Sequence, residues 1–157
     1  MKIQCWSIGK AHEPYVLKGI EEFTHRIGKY FPISWHLIAS PKNAPTLNVS
    51  ALKKREGELI LQLLQPDDYL ILLDEKGQMF TNEKLATYIQ QWANESKKKI
   101  IFLIGGAYGV DQQVQKRANL IWSLSTLVFP HQLVRLILSE QLYRACTILK
   151  NEPYHHS

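Results

Sequence analysis

Two short segments that are apolar at nearly every position constrain this chain most. They are Tyr69–Leu73 and Lys99–Ile104, and each lies between segments whose apolar residues recur at helical spacing. Strands without an exposed polar face are typical of parallel sheets that helices cover on both sides. The alternation of such strands with helices predicts an α/β fold, with a mostly parallel sheet and helices on both faces.

The other predicted elements follow from their boundary residues. The 157-residue chain has no internal repeat or linker and is predicted to be one domain, 1–157. Ser40–Asn48 contains two prolines and is predicted to be a loop. Further strands are expected at Lys2–Ile8, Ile33–Ala39 and Leu120–Ser123. Helices are expected from Pro14 to Gly28, from a Ser50 cap to about Leu64, from a Thr81 cap to about Asn94, at Asp111–Ala118 and at Gln132–Lys150.

Composition limits the classes of partner. The net charge of +5 suits an anionic partner such as RNA, although many ordinary proteins carry as much. Basic clusters at Lys53-Lys54-Arg55 and Lys97-Lys98-Lys99 are either phosphate contacts or solvated ends of elements. No apolar run reaches the roughly 20 residues that span a bilayer. We expect no membrane contact, a cytoplasmic location and two reduced, buried thiols, Cys5 and Cys146.

The ends of three strands are the best candidates for a ligand site. Ligands of open parallel sheets bind beyond the carboxyl ends of the strands. The segments at those ends are Leu73–Gly77, the glycine loop Gly105–Gly109 and Leu124–Pro130. The glycine loop lacks the G-x-G-x-x-G spacing, and the chain has no Walker motif, so a classical nucleotide loop is not expected. Asp74-Glu75 is either an acid/base pair or a turn, and the scattered histidines predict no metal site.

The last helix starts with two residues suited to an anion. His131 follows Pro130 at a helix N-terminus, and Arg135 lies one turn later on the same face. The pair could hold a phosphate or a developing anion, or could be a cap and a structural ion pair. The helix is apolar over about half its circumference, which indicates either a subunit interface or deep burial within one chain.

Several motifs together resemble one family. The chain is similar over its whole length to the SPOUT-superfamily methyltransferases that modify N3 of a pseudouridine in bacterial large-subunit ribosomal RNA. The resemblance rests on Phe102–Gly109, Trp122–Ser125, Pro130–Arg135, Glu140–Ala145 and the terminal Asn151–His155. It extends to the length of the chain, the opening strand and the segment Lys54-Arg55-Glu56-Gly57. It implies an α/β sheet with a deep C-terminal trefoil knot, a homodimer packed through that knot, and S-adenosylmethionine as cofactor without a metal.

The resemblance also implies roles for particular residues. His131 and Arg135 become the catalytic candidates, and Arg144, Tyr154 and His155 the RNA-binding ones, with the tail either reaching the partner's pocket or idle. The expected substrate is large-subunit ribosomal RNA in the assembled ribosome. Two alternatives are a SPOUT enzyme for another RNA and a non-catalytic RNA-binding factor. The implied cofactor pocket consists of Leu73, Gly105, Leu124, Ser125, Thr126, Leu127, Val128 and Phe129.

Overall fold

The computed structural model describes residues 1–156, so Ser157, the last residue of the predicted domain, lies outside the described residues. Its strands are β1 (Lys2–Ile8), β2 (Ile33–Ile38), β3 (Tyr69–Gln78), β4 (Lys99–Ile104) and β5 (Leu120–Trp122). Its α-helices are α1 (Pro14–Ile27), α2 (Val49–Leu63), α3 (Asn82–Asn94), α4 (Gln112–Arg117) and α5 (His131–Leu149). The predicted loop 40–48 contains one 3₁₀ turn, Ala44–Thr46.

All five strands form one parallel sheet in the order β2-β1-β4-β3-β5. Helices α1, α3 and α5 contribute to the apolar core on one face, and α2 and α4 contribute to the core on the other. The central strand β4 is buried from Ile100 to Ile104, as its uninterrupted apolar sequence predicts. The predicted α/β class with helices on both faces is therefore confirmed, whereas the knot stays a prediction.

Two predicted boundaries were wrong for identifiable reasons. Helix α2 is capped by Asn48, whose Oδ1 accepts a hydrogen bond from the Ala51 amide at 2.8 Å, and not by Ser50. Strand β3 continues beyond Leu73 to Gln78, because both residues pair with Trp122 and the segment between them bulges outward. Because the residues of the bulge are polar or glycine, a prediction based on runs of apolar residues ends the strand too early.

Part of the apolar surface of α5 is covered within one chain. The helix packs against both α1 and α3, and Leu136 approaches so closely that a Cβ on Gly19 of α1 would lie 2.7 Å from its Cδ1. Contacts within the chain bury Leu138, Leu142 and Ala145 but leave Leu133, Val134, Ile137, Ile148 and Leu149 partly exposed, so the subunit interface stays a prediction. No helix in residues 1–156 combines the length and apolarity needed to cross a membrane.

Candidate functional site

A cavity of about 610 Å³ opens at the carboxyl ends of β3, β4 and β5. Three segments line it: 73–76 from the β3 bulge, 104–110 after β4, and 122–129 after β5, interrupted at Thr126. Of the predicted site residues, it brings together Leu73, Gly105, Leu124, Ser125, Leu127, Val128, Phe129 and His131. Thr126 is exposed and does not line the cavity. The location agrees with the rule that ligands of parallel sheets bind beyond the strand ends.

The glycine loop is a tight turn that keeps backbone exposed on the cavity wall. A bridge joins Gly106 to Gly109, and Gly109 has a φ of +84°, which favours glycine. A Cβ on Gly105 would lie 2.6 Å from Cγ1 of Val110, so no side chain fits there. The loop can therefore offer amide and carbonyl groups to a ligand at close range.

The segment after β5 combines internal hydrogen bonds with exposed apolar side chains. Ser123 Oγ donates to the Ser125 carbonyl at 2.9 Å, and Ser125 Oγ accepts from the Leu127 amide at 3.0 Å. These bonds fix the backbone of the segment. Leu127 and Val128 are nevertheless 68% and 81% exposed, which is unusual for large aliphatic side chains beside a cavity. A ligand or a partner would cover them.

His131 connects helix α5 to the glycine loop. Its Nε2 lies 2.7 Å from the Gly105 carbonyl oxygen, and because a carbonyl only accepts, Nε2 carries the hydrogen. The neutral ring then keeps a lone pair on Nδ1. Burial lowers the pKa of His131, the bond to Gly105 opposes that shift, and the charge of Arg135 adds to the lowering. The imidazole is held neutral on the cavity wall and can accept a proton.

The structure does not bring Arg135 to the cavity, contrary to the expectation that it faces the ligand beside His131. Its side chain is fully buried between α5 and the segment that follows β1. Nε donates to Ser7 Oγ at 3.0 Å, and Nη1 donates to the Lys10 carbonyl at 3.0 Å and lies 3.2 Å from His12 Nδ1. The long side chain diverges from that of His131 although both begin on one helix face.

Gln132 joins the same segment to the first turn of α5. Its Oε1 accepts a hydrogen bond from the Glu13 amide at 2.9 Å, and its Nε2 donates to the Ala11 carbonyl at 3.4 Å. Together with Arg135, it fixes the start of α5 against the loop after β1. Arg135 is thus placed to position the first turn of α5 and has no contact with the cavity.

The predicted RNA-binding residues form one network at the opposite end of α5. Arg144 makes an ion pair with Glu140 at 2.6 Å and lies 3.1 Å from His155 Nδ1. Tyr154 donates to Glu140 at 3.1 Å, and His155 Nε2 lies 2.9 Å from Glu83. His131 and Arg144 are separated by roughly 20 Å of helix at about 1.5 Å per residue. The structure therefore does not bring the tail to the cavity of its own chain.

Several residues around the cavity were missed by sequence reasoning. Lys53 lines it from α2, and Trp122, Val110 and Val134 add apolar wall. Trp122, Val110 and Val134 resemble ordinary core residues in the sequence. Lys53 belongs to the basic cluster for which phosphate contact was one of two interpretations, but it was not placed at this site. Asp74 accepts a hydrogen bond from the Lys76 amide at 2.8 Å, the turn alternative for that carboxylate. Among residues 1–156, no three His, Cys, Asp or Glu side chains are grouped to hold a metal.

Comparison with known proteins agrees with this architecture. The family model described as "Predicted SPOUT methyltransferase" matches residues 1–155. The chain is 49% identical over 156 residues to the ribosomal RNA large subunit methyltransferase H of Cytophaga hutchinsonii, covering 99% of this chain and 100% of that protein. Proteins of the same name from Parabacteroides distasonis and Trichlorobacter lovleyi are 46% and 40% identical, with 99% of this chain covered by each and 99% and 100% of their own lengths.

The residues that the family model matches include all five strands, the glycine loop and helix α5. At these identities the relatives align along nearly the whole length of both chains. The chain therefore belongs to the SPOUT methyltransferase family.

Proposed function

We propose that this chain transfers a methyl group from S-adenosylmethionine to N3 of a pseudouridine in large-subunit ribosomal RNA, within the assembled ribosome in the cytoplasm. The observation that carries the proposal is the cavity in which a neutral histidine is hydrogen-bonded to the glycine loop, in a member of a methyltransferase family. The relatives named above are ribosomal RNA large subunit methyltransferases, which supports the choice of substrate.

The cavity fits the cofactor by shape and by chemistry. Glycine at 105 and 106 keeps the loop backbone open to a ligand, and Leu73, Leu124 and Phe129 offer apolar surface for an adenine ring. Backbone groups of 124–129 that are not already paired within the segment would hydrogen-bond the polar edges of the nucleoside. When bound, S-adenosylmethionine supplies an electrophilic methyl group on a sulfonium. The chain has to hold N3 of the base in line and remove its proton.

His131 is the residue that we assign to proton removal. The Gly105 carbonyl holds Nε2–H, so Nδ1 has the free lone pair and is the atom that would take the imide proton. The lowered pKa of His131 keeps that lone pair available at neutral pH. Arg135 contributes indirectly, by fixing the first turn of α5 on which His131 lies.

The RNA-binding role proposed for Arg144, Tyr154 and His155 requires a second copy of the chain. These residues lie too far from their own cavity to touch the same nucleotide as His131. A homodimer in which the tail of one protomer lies beside the cavity of its partner would bring the two groups together. The exposed Leu127 and Val128 at the cavity are consistent with a surface that such a partner covers.

The positive net charge of the chain favours binding to ribosomal RNA, but it does not make that binding specific for one sequence. A net charge of +5 spread along a single domain contacts phosphates, and recognition of one nucleotide then depends on the shape of the assembled ribosome.

Transfer of labelled methyl from S-adenosylmethionine to ribosomes and to protein-free ribosomal RNA tests the proposal. We expect transfer to ribosomes and little to free RNA. Absence of transfer to either substrate, with the cofactor bound, would contradict it.

A further inference from the structure

Glu56 is a buried carboxylate placed directly behind the glycine loop. It lies on α2 and is 6% exposed. A Cβ built on Gly106 would lie 2.5 Å from its Oε1 and 2.9 Å from its Oε2, so the carboxyl group rests against the backbone of Gly106. Glu56 does not line the cavity itself, but Gly106 does, so the backbone of the loop lies between this carboxyl and the cavity.

The carboxylate has no partner to offset its charge. Within residues 1–156, no hydrogen bond or ion pair involves the Glu56 side chain. Arg55, the preceding residue of α2, pairs with Glu58 at 3.5 Å. Burial raises the pKa of Glu56, because its ionised form loses hydration without gaining a counter-ion. Neither carboxyl oxygen of Glu56 is fully enclosed, so the group keeps some contact with water. A largely buried carboxylate without a counter-ion beside a cavity would still be stabilised by a cationic ligand.

We propose that Glu56 is a charge-specificity residue of the cofactor site, where its carboxylate favours a ligand bearing a sulfonium over the neutral thioether of the same shape. The inference rests on the proposed function, since it takes S-adenosylmethionine as the ligand. S-adenosylhomocysteine, the product, differs from the cofactor by one methyl group and one positive charge. Glu56 thereby favours binding of the cofactor and release of the product.

The position of Glu56 also couples binding of the cofactor to the protonation of its carboxyl group. A bound cation stabilises the ionised carboxylate, so binding of S-adenosylmethionine displaces a proton from the fraction of Glu56 that is protonated in the free protein. Affinity for S-adenosylmethionine should rise with pH through the titration of Glu56. Affinity for S-adenosylhomocysteine should not follow that titration, because the thioether gives the carboxylate no charge to pair with.

Calorimetric titration of both ligands into the full chain and its variants tests the proposal. In Glu56→Gln we expect the ratio of the two affinities to shift by about tenfold towards S-adenosylhomocysteine, the size of a charge interaction weakened by water in an open cavity. Glu58→Gln is the matched control, because Glu58 lies on the same helix, is 42% exposed and pairs with Arg55. It should leave the ratio unchanged.

The unmodified protein gives a second, independent readout. Titration in buffers of different ionisation enthalpy should show proton release with S-adenosylmethionine in weakly acidic solution and none with S-adenosylhomocysteine. His131 lines the same cavity and also titrates in weakly acidic solution, so the measurement is repeated with His131→Gln, in which the release from Glu56 should persist. Neither measurement requires Glu56→Gln to fold.

The outcomes separate this inference from the proposed function. If neither ligand binds the unmodified protein, the proposed function fails. If both bind, but with a ratio that neither pH nor Glu56→Gln alters, the role of Glu56 is overturned and the proposed function stands.

Discussion

Replacing His131 by glutamine separates the two roles that the structure gives this residue. A glutamine amide can reach the position of Nε2 and donate to the Gly105 carbonyl, so the contact that joins α5 to the glycine loop is kept. The proton acceptor Nδ1 is lost. His131→Ala removes both the acceptor and the 2.7 Å hydrogen bond.

The expected magnitudes differ for the two variants. A positioned general base typically contributes about a hundredfold or more to a rate, so both variants should lose at least that much methyl transfer. Only His131→Ala should also lower the free energy of unfolding, by about 1 kcal/mol for the lost hydrogen bond. S-adenosylmethionine should bind His131→Gln nearly as it binds the unmodified protein.

Single-turnover transfer of labelled methyl to ribosomes, at saturating cofactor and over a range of pH, is the appropriate assay. The unmodified protein should lose rate as the pH falls through the pKa of His131, which burial lowers below the ordinary histidine value. His131→Gln should lack this step and recover rate in alkaline solution, where the imide ionises without a base. Full transfer by His131→Gln at neutral pH would refute the assignment of the base.

Three further predictions concern other parts of the molecule. Gly77→Ala should lower the free energy of unfolding by about 1–3 kcal/mol and weaken cofactor binding, because the added Cβ would lie 2.6 Å from the backbone of β5. Gly28→Ala, at the end of a helix, is the control. Thermal unfolding that is equal for both variants would contradict this. Deleting residues 153–157 should reduce ribosome methylation more than cofactor affinity, whereas equal losses would indicate a general loss of stability. Burial raises the pKa of Cys146 to about 12 and raises the pKa of Cys5 further. Thiol reagents should therefore label both cysteines only when the protein unfolds. Rapid labelling of the native protein would contradict this prediction.

The fold could be predicted because its signals are local. The apolar strand Lys99–Ile104 and the proline that begins α1 specify their elements without reference to the rest of the chain. The β3 extension could not be predicted, because it depends on Gln78 pairing with Trp122 across a bulge that spans four polar or glycine positions. Pairing between distant segments produces no periodic pattern of apolar residues in either segment.

The site was predictable in its loops and less so in its side chains. The glycine loop and the segment after β5 could be located because strand ends mark ligand sites in parallel sheets. The sequence places Arg135 one turn after His131, but whether so long a side chain turns to the cavity or to Ser7 depends on tertiary packing. Glu56 belongs to a segment that carries the family resemblance, but it received no predicted role, because a glutamate in a charged helix is usually solvated. Only its approach to Gly106 distinguishes it.

The central claim is methyl transfer to N3 of a pseudouridine in ribosomal RNA, and product analysis tests it most directly. Ribosomes with pseudouridine at the target loop, and matched ribosomes with uridine there, would be incubated with the protein and labelled S-adenosylmethionine. Their RNA would then be digested to nucleosides and analysed by mass spectrometry. The account predicts N3-methylpseudouridine from the first ribosomes and much less label in the second. Equal labelling of both, or a methyl group on any other atom, would contradict it.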